Sequence, residues 1–264
     1  MITESKIIRD FRLPRAGSHK GDNGRLLIIA GSAQFHGSLV YAVKIASRIV
    51  DLIYVLTTKD NTEVIRKLKV HTAEFIPVRE LKSYLNYVDC VLIGPGMGIS
   101  RHAYKLVEQV LRSRVRAVLD ADALNALDER LKGLLGKNHI LTPHAKEFER
   151  VFGIAGNRSI EQKSAMKFGC TIVLKGKADI IAGPDGKIYM NRTGNEGMTK
   201  GGTGDVLAGL IAGFFCANEA FFSAVAGAYL NGLAGDQLFK KVGPFYNAED
   251  LVNQIPKTLW KILK

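Results

Sequence analysis

Apolar residues along this chain gather in short runs separated by longer amphipathic stretches. Residues 26–30, 52–56, 88–93, 115–119, 139–141 and 171–174 are rich in Val, Ile and Leu and do not alternate with polar positions. Unbroken apolar runs of this length fit strands covered on both faces. In residues 39–50 and 103–111 the apolar positions recur every three or four residues, the period of a helix that buries one face. Strand and helix in alternation predict crossover units and a mainly parallel sheet. After Lys175 the pattern changes: residues 179–182 and 187–191 flank Gly183-Pro184-Asp185-Gly186, a turn-rich link that predicts antiparallel strands at one edge of the sheet. Residues 204–215, 221 to about 238, and 248 onward read as helices. No low-complexity linker or internal repeat interrupts the chain, so one α/β domain over residues 1–264 is expected.

Nearly every parallel run is followed at once by small, polar or ionisable residues. Gly31-Ser32 follows the run at 26–30, Gly94-Pro95-Gly96-Met97-Gly98 the run at 88–93, and Asp120-Ala121-Asp122 the run at 115–119. Thr142-Pro143-His144 and Lys175-Gly176-Lys177 follow the next two. Open α/β sheets bind ligands beyond the carboxyl ends of their strands, so these segments are expected to line one crevice.

The strongest single motif is Gly201-Gly202-Thr203-Gly204-Asp205, which leads directly into an apolar helix. Glycines let backbone N–H groups converge on an anion at the positive helix end, without a bulky Cβ in the way. Gly201, Gly202, Thr203 and Gly204 are therefore the candidate anion hole. Asp205 then stands where a carboxylate can take the proton of a substrate hydroxyl as that oxygen attacks a phosphoryl group. The rival reading makes Asp205 an ordinary first-turn residue favoured by the helix dipole. No G-x-x-x-x-G-K-[ST] is present and residues 94–98 lack the full G-x-G-x-x-G, so two common nucleotide folds are unlike this chain. Gly209 and Gly213 inside the helix read as close-packing positions.

Charge and composition change this picture little. The net charge is +12, but the basic residues are scattered. Arg112, Arg114 and Arg116 and the lysine-rich C-terminus read as solvated surface, so nucleic acid is not an expected partner. No apolar stretch approaches the roughly 18 residues of a membrane span, and residues 1–15 mix charges with single apolar positions unlike a signal peptide. Cys90, Cys170 and Cys216 lack metal or disulfide spacing, and the histidines at 19, 36, 71, 102 and 139 lack ligand spacing. A cytoplasmic location fits best.

Taken together, His19-Lys20-Gly21-Asp22-Asn23-Gly24, Ala30-Gly31-Ser32, Gly94 to Gly98, Asp120-Ala121-Asp122-Ala123-Leu124-Asn125, Leu141-Thr142-Pro143-His144, Leu174-Lys175-Gly176 and Gly197 to Gly209 resemble the ADP- or ATP-dependent (S)-NAD(P)H-hydrate dehydratases over about residues 12–235. The resemblance implies a ribokinase-like three-layer αβα sandwich without the epimerase domain that precedes it in many members. It implies dehydration of the 6S hydrate of NADH or NADPH at the expense of ADP or ATP, with Mg2+, in a homo-oligomer, tetramers included. Carried over position by position, Ser38, Gly98, His144 and Asp205 would contact the hydrate. Lys175, Gly176, Lys177, Ala178, Asp179 and Gly204 would contact the nucleotide, with Asp205 as base. Ser38 stands where the family usually has Ala, and Asp179 where Thr is common, which places a carboxylate near the nucleotide.

Other residues keep two readings. His144 is a substrate contact or a helix cap, and Glu147 either holds magnesium through water or is surface. One of Asp120 and Asp122 faces the crevice or both cap the next helix. Lys20 reaches a phosphate or is simply exposed. Tyr41 and Phe35 read as packing residues. Two rival functions stand beside the dehydratase: a kinase for a vitamin-like alcohol, and a nucleotide-binding regulator without turnover.

Overall fold

The computed structural model describes residues 16–67 and 75–264, so the expectations for residues 1–15 and for His71 lie outside the described residues. Nine strands of the described residues form one sheet: β1 (Arg25–Ile29), β2 (Leu52–Leu56), β3 (Ile76–Pro77), β4 (Cys90–Ile93), β5 (Arg116–Leu119), β6 (His139–Leu141), β7 (Thr171–Leu174), β8 (Asp179–Ala182) and β9 (Ile188–Asn191). Their spatial order is β3-β2-β1-β4-β5-β6-β7-β8-β9. Pairing is parallel from β3 to β7 and antiparallel for β7–β8 and β8–β9, as the change of pattern after Lys175 predicts. The two-residue edge strand β3 is absent from the sequence reading, because two residues carry no periodic signal.

The helices are α1 (Gly37–Ala46), α2 (Lys59–Lys67), α3 (Lys82–Leu85), α4 (Arg101–Ser113), α5 (Asp122–Asn125), α6 (Glu129–Lys132), α7 (Ala145–Phe152), α8 (Arg158–Phe168), α9 (Thr203–Phe215), α10 (Ala220–Val242) and α11 (Ala248–Leu263). They cover both faces of the sheet, because successive strand residues point to opposite sides. Leu26 and Ile28 of β1 join the core under α1, α9, α10 and α11, with Leu39, Leu210, Ala224 and Leu251. Leu27 and Ile29 join the other core, with Val107 of α4, Leu131 of α6 and Phe148 of α7. The small-residue stretch of α10 is thus packed inside the chain's own core. A Cβ on Gly209 would meet Ile45 Cγ2 at 2.6 Å and the Ala42 carbonyl at 3.0 Å, so this glycine lets α9 approach α1 closely.

One surface expectation needs correction. Arg116 is not simply solvated: its Nη1 donates to the carbonyls of Phe215 and Cys216 at 2.9 and 3.1 Å. It caps the carbonyl end of α9, where a positive charge complements the helix dipole. The 19–24 run lies immediately before β1, at the end of the strands opposite the crevice, and Lys20 is exposed there. There the backbone N–H groups of Gly21 and Asn23 both donate to Asp51 Oδ2 at 3.0 Å. Burial opposes ionisation of Asp51, but these hydrogen bonds outweigh it and hold the carboxyl below its ordinary range.

Candidate active site

Strand order reverses between β1 and β4, and α/β sheets open a crevice at such a switch point. Here the Gly31 N–H donates to the Pro95 carbonyl at 2.8 Å, joining the two post-strand loops. Gly94 has φ +123°, and a Cβ there would stand 1.8 Å from the Asp120 carbonyl. Only glycine lets the β4 loop pass this close to the end of β5. Beyond it, the Gly98 N–H donates to Asp122 Oδ2 at 2.7 Å. Asp122 therefore shapes the loop around Gly98.

Asp120 points the other way and is almost fully buried. Its Oδ1 accepts from Thr142 Oγ1 at 2.8 Å and from Lys175 Nζ at 2.8 Å. Lys175 is held a second time by its backbone N–H, which donates to the Pro143 carbonyl at 2.8 Å beyond β6. Burial alone would favour a neutral amine at Lys175. The carboxylates of Asp120, Glu147 and Asp205 reverse that and raise its pKa above the ordinary value. The alternation between Asp120 and Asp122 thus resolves into one crevice carboxylate and one loop-holding carboxylate.

The helix α9 begins at Gly202, which has φ +95°; a Cβ on it would strike the Tyr41 ring at 2.6 Å. Thr203 Oγ1 donates to the Met198 carbonyl at 2.7 Å, tying the preceding loop to the helix start. Thr203 therefore contributes its hydroxyl to loop closure, and Gly201 and Gly202 provide the turn. The N–H groups of Gly204 and Asp205 have no intrahelical acceptor and stand at the positive end of the helix. A Cβ built on Gly204 meets only Lys175 Nζ, at 4.0 Å. The position faces open space beside a cation, as an anion hole requires. Gly204→Val is accordingly expected to keep the melting temperature of the parent protein while weakening ADP binding at least about tenfold. Calorimetry on the folded variant checks this.

Asp205 occupies the third position of α9 and meets the hydroxyl of Ser38 from the first turn of α1. Burial pushes its carboxyl up to about 6, and the negative charge of Asp120 adds to the rise; Lys175 and the Ser38 hydroxyl pull it down. The result is a carboxylate poised near neutrality between the switch-point loops and the Lys175 side, the range suited to proton transfer.

His144 is the helix cap of its second reading. It is the N-cap of α7, with Nδ1 accepting from the Lys146 and Glu147 N–H groups at 3.1 and 3.3 Å. An accepting Nδ1 leaves the ring proton on Nε2. His144 also stands at the carboxyl end of β6, bridged to Lys175. Glu147 closes the capping box through Oε2, which accepts the His144 N–H at 2.8 Å. It is buried beside Lys175 rather than on the surface.

A cavity of about 790 Å³ opens from Gly204 and Lys175 toward β9 and α10. It includes Gly176, Lys177, Asp179 and Thr203 of the expected site, whereas Ala178, Ser38, Gly98, His144, Glu147, Gly201, Gly202 and Asp205 are not on its wall. The expected site therefore divides into a nucleotide-sized cavity and a switch-point half that meet at the start of α9. The Asp179 carboxylate is engaged: Oδ1 accepts the Gly176 N–H and Oδ2 accepts Asn191 Nδ2, both at 3.1 Å. Its burial raises its pKa, against the pull of these bonds and of Lys175. The sequence reading missed the rest of the wall, Arg192 to Glu196 beyond β9 and Ala228, Asn231 and Gly232 on α10. Asn231 carried a usable signal, a lone amide inside an otherwise apolar small-residue helix. Phe35 was expected to pack but is 46% exposed.

This fold is that of the ribokinase-like α/β class. The profile of the NAD(P)H-hydrate dehydratase family matches residues 26–257, and the chain belongs to that family. It is 38% identical over 96% of its length to the bifunctional NAD(P)H-hydrate repair enzyme of Methanocaldococcus jannaschii, of which the match covers 51%. It spans about half the length of the first curated relatives it matches. The ADP-dependent (S)-NAD(P)H-hydrate dehydratase of Cenarchaeum symbiosum is 36% identical over 98% of this chain and 96% of its own. The ADP/ATP-dependent NAD(P)H-hydrate dehydratase of Bacillus subtilis, crystallised with ATP and Mg2+, superposes with a TM-score of 0.84 at 26% identity, over 100% of this chain and 98% of its own.

Proposed function

We propose that this protein converts the 6S hydrates of NADH and NADPH back to the working cofactors, consuming ADP or ATP. The observation that carries the reading is the position of Asp205, in the first turn of α9, with Ser38 on one side and the Lys175 end of the cavity on the other. Asp205 takes the proton of the hydrate hydroxyl as that oxygen attacks the terminal phosphoryl group of the nucleotide. The Gly204 N–H and the Lys175 ammonium hold the charge of the transferring group. Oxygen leaves as phosphate when the ring-nitrogen lone pair breaks the C–O bond, and loss of a proton from the adjacent carbon restores the ring double bond. With ADP the products are reduced cofactor, AMP and phosphate; with ATP, ADP replaces AMP.

Ser38, the Gly98 loop and the Nε2–H of His144 are assigned to the hydrate, and Lys175 to Asp179 with Gly204 to the nucleotide. Among the described residues no three His, Cys, Asp or Glu side chains converge as metal ligands. Mg2+ is commonly held by one or two carboxylates, water and substrate phosphates. Glu147, buried beside Lys175, would hold it through water. Bound there, the ion would neutralise phosphate charge. A cytoplasmic homo-oligomer completes the reading, supported by family resemblance; no described helix is long and apolar enough to cross a membrane.

The test is incubation with NADH hydrate and either nucleotide, following recovery of the absorbance of the reduced nicotinamide and release of phosphate. Recovery with phosphate release is expected. A stable phosphoester of a vitamin-like alcohol, without cofactor recovery, would instead establish the kinase reading.

A further inference from the structure

Phe35 lies in the loop between β1 and α1, on a frame supplied by a different crossover unit. Gly31 has φ +77°, and a Cβ there would stand 2.5 Å from Asn61 Nδ2, so the loop passes directly against the first turn of α2. Asn61 is 1% exposed, and its Nδ2 donates to the Ser32 carbonyl at 3.0 Å and to Thr57 Oγ1 at 3.3 Å. With the amide nitrogen committed to a carbonyl, Oδ1 is the atom that meets His36 Nδ1, and it accepts that ring proton. The Ser32 N–H in turn donates to the Phe35 carbonyl at 3.2 Å. One buried amide therefore holds the chain on both sides of Phe35, at Ser32 and at His36.

The ring carried on this frame is not part of the core. Phe35 is 46% exposed and packs in neither hydrophobic cluster. Gly96 fixes where it stands: this glycine has φ +59°, and a Cβ on it would lie 2.8 Å from Phe35 Cβ and 2.9 Å from Ser38 Oγ. Phe35 and Ser38 thus stand side by side against the β4 loop, and the Ser38 hydroxyl meets Asp205. Exposed apolar residues scattered singly over a surface need no explanation. An exposed aromatic held in place by a buried amide, next to the candidate base, is instead a ring set out in advance for a ligand.

Ser38, the Gly98 loop and His144 offer the hydrate hydrogen bonds and space but little apolar surface, whereas ligand sites are lined mostly by apolar and aromatic groups. The hydrate has a flat face to offer. Water adds across one double bond of the nicotinamide ring, and the ring nitrogen, the other double bond and the carboxamide stay conjugated in one plane. Aromatic side chains stack on such planes. We propose that Phe35 is a substrate-contacting residue whose ring stacks on this conjugated face. The proposal rests on the dehydratase reading of the site and adds a contact from outside the motifs that carry the family resemblance. The plane is unchanged while the hydroxyl oxygen attacks the phosphoryl group, so the contact holds ground state and transition state alike, and its loss appears in KM rather than kcat.

The test is steady-state turnover of NADH hydrate by the full chain at saturating ADP, with ADP affinity and melting temperature measured on the same preparations. Phe35→Ala is expected to raise the hydrate KM about tenfold, with kcat, ADP affinity and melting temperature near those of the parent. Phe35→Tyr keeps the π-face and should stay within about twofold of the parent KM. Phe35→Leu keeps apolar bulk without a π-face, and a KM raised at least about threefold in it decides the matter if the alanine variant does not fold. A parent-like KM in the alanine and leucine variants would overturn the proposal and leave the dehydratase reading standing. A joint fall in melting temperature, ADP affinity and kcat would also overturn it, because Phe35 would then serve the loop and not the substrate. No cofactor recovery by the parent protein would end both readings.

Discussion

Asp205→Asn is expected to lower turnover of the cofactor hydrate by about 10² to 10⁴, the usual loss for a general base, while ADP affinity stays near that of the parent. Asparagine keeps the size of the side chain and can still meet the Ser38 hydroxyl, but it cannot accept the substrate proton. The same variant should be the more stable protein at neutral pH. Asp205 ionises at about 6 in the fold against an ordinary value of 3.8, with burial the largest cause. A carboxyl raised in this way favours the protonated folded state. Its stabilising contribution is full below pH 3.8 and is lost as pH rises through about 6. Asparagine does not titrate, so its advantage in melting temperature should grow between those limits and hold above them. The parent enzyme should show an acidic limb near pH 6 in its rate, when chemistry limits it, and the variant should show none. If Asp205 served only the helix dipole, its loss would cost about 0.3–1 kcal/mol at every pH above the carboxyl range and leave turnover nearly normal. The two accounts differ in the sign of the stability change as well as in rate.

The candidate base was legible because Asp205 belongs to a local motif: glycines and an acid at the start of an apolar helix specify their own geometry. The parallel strands were legible for a similar reason, since a run such as Val91-Leu92-Ile93, buried on both faces, has no polar position to confuse with a helix. The β7–β8–β9 edge was announced by its turn. What remained illegible depends on contacts between distant residues. Nothing local separates Asp120 from Asp122; only the passage of Gly94 across the end of β5 and the reach of Lys175 from β7 decide which one enters the crevice. The two readings of Lys20 could not be separated locally either: its run precedes a strand, and in a parallel sheet that places it at the end away from the crevice. The far wall of the cavity was hidden for a third reason, because α10 packs as an ordinary apolar helix except at Asn231.

The Lys175–Asp120 pair yields the second large effect, and it separates structure from chemistry. Asp120 is about 2% exposed and its Oδ1 faces Lys175 Nζ at 2.8 Å. Removing the cation alone, in Lys175→Met, leaves a buried carboxylate unpaired, which costs about 3 kcal/mol or more. A clear fall in melting temperature follows. Removing both charges, in Lys175→Met with Asp120→Asn, should recover most of that loss, because an amide can still accept from Thr142 and no unpaired charge remains. Turnover should recover in neither protein. Lys175 is the cation at the glycine mouth, and loss of one such preorganised group costs about 10² to 10³ in rate. The acidic limb adds an independent check. Lys175 lowers the pKa of Asp205 and Asp120 raises it, so the limb should move to higher pH in the single variant and back down when Asp120 is also neutral. If the single variant melts with the parent, the pair does not hold the crevice together. If the double variant regains turnover along with stability, Lys175 acts by balancing Asp120 alone, and the charge of the transferring phosphoryl group must be held by the Gly204 N–H instead.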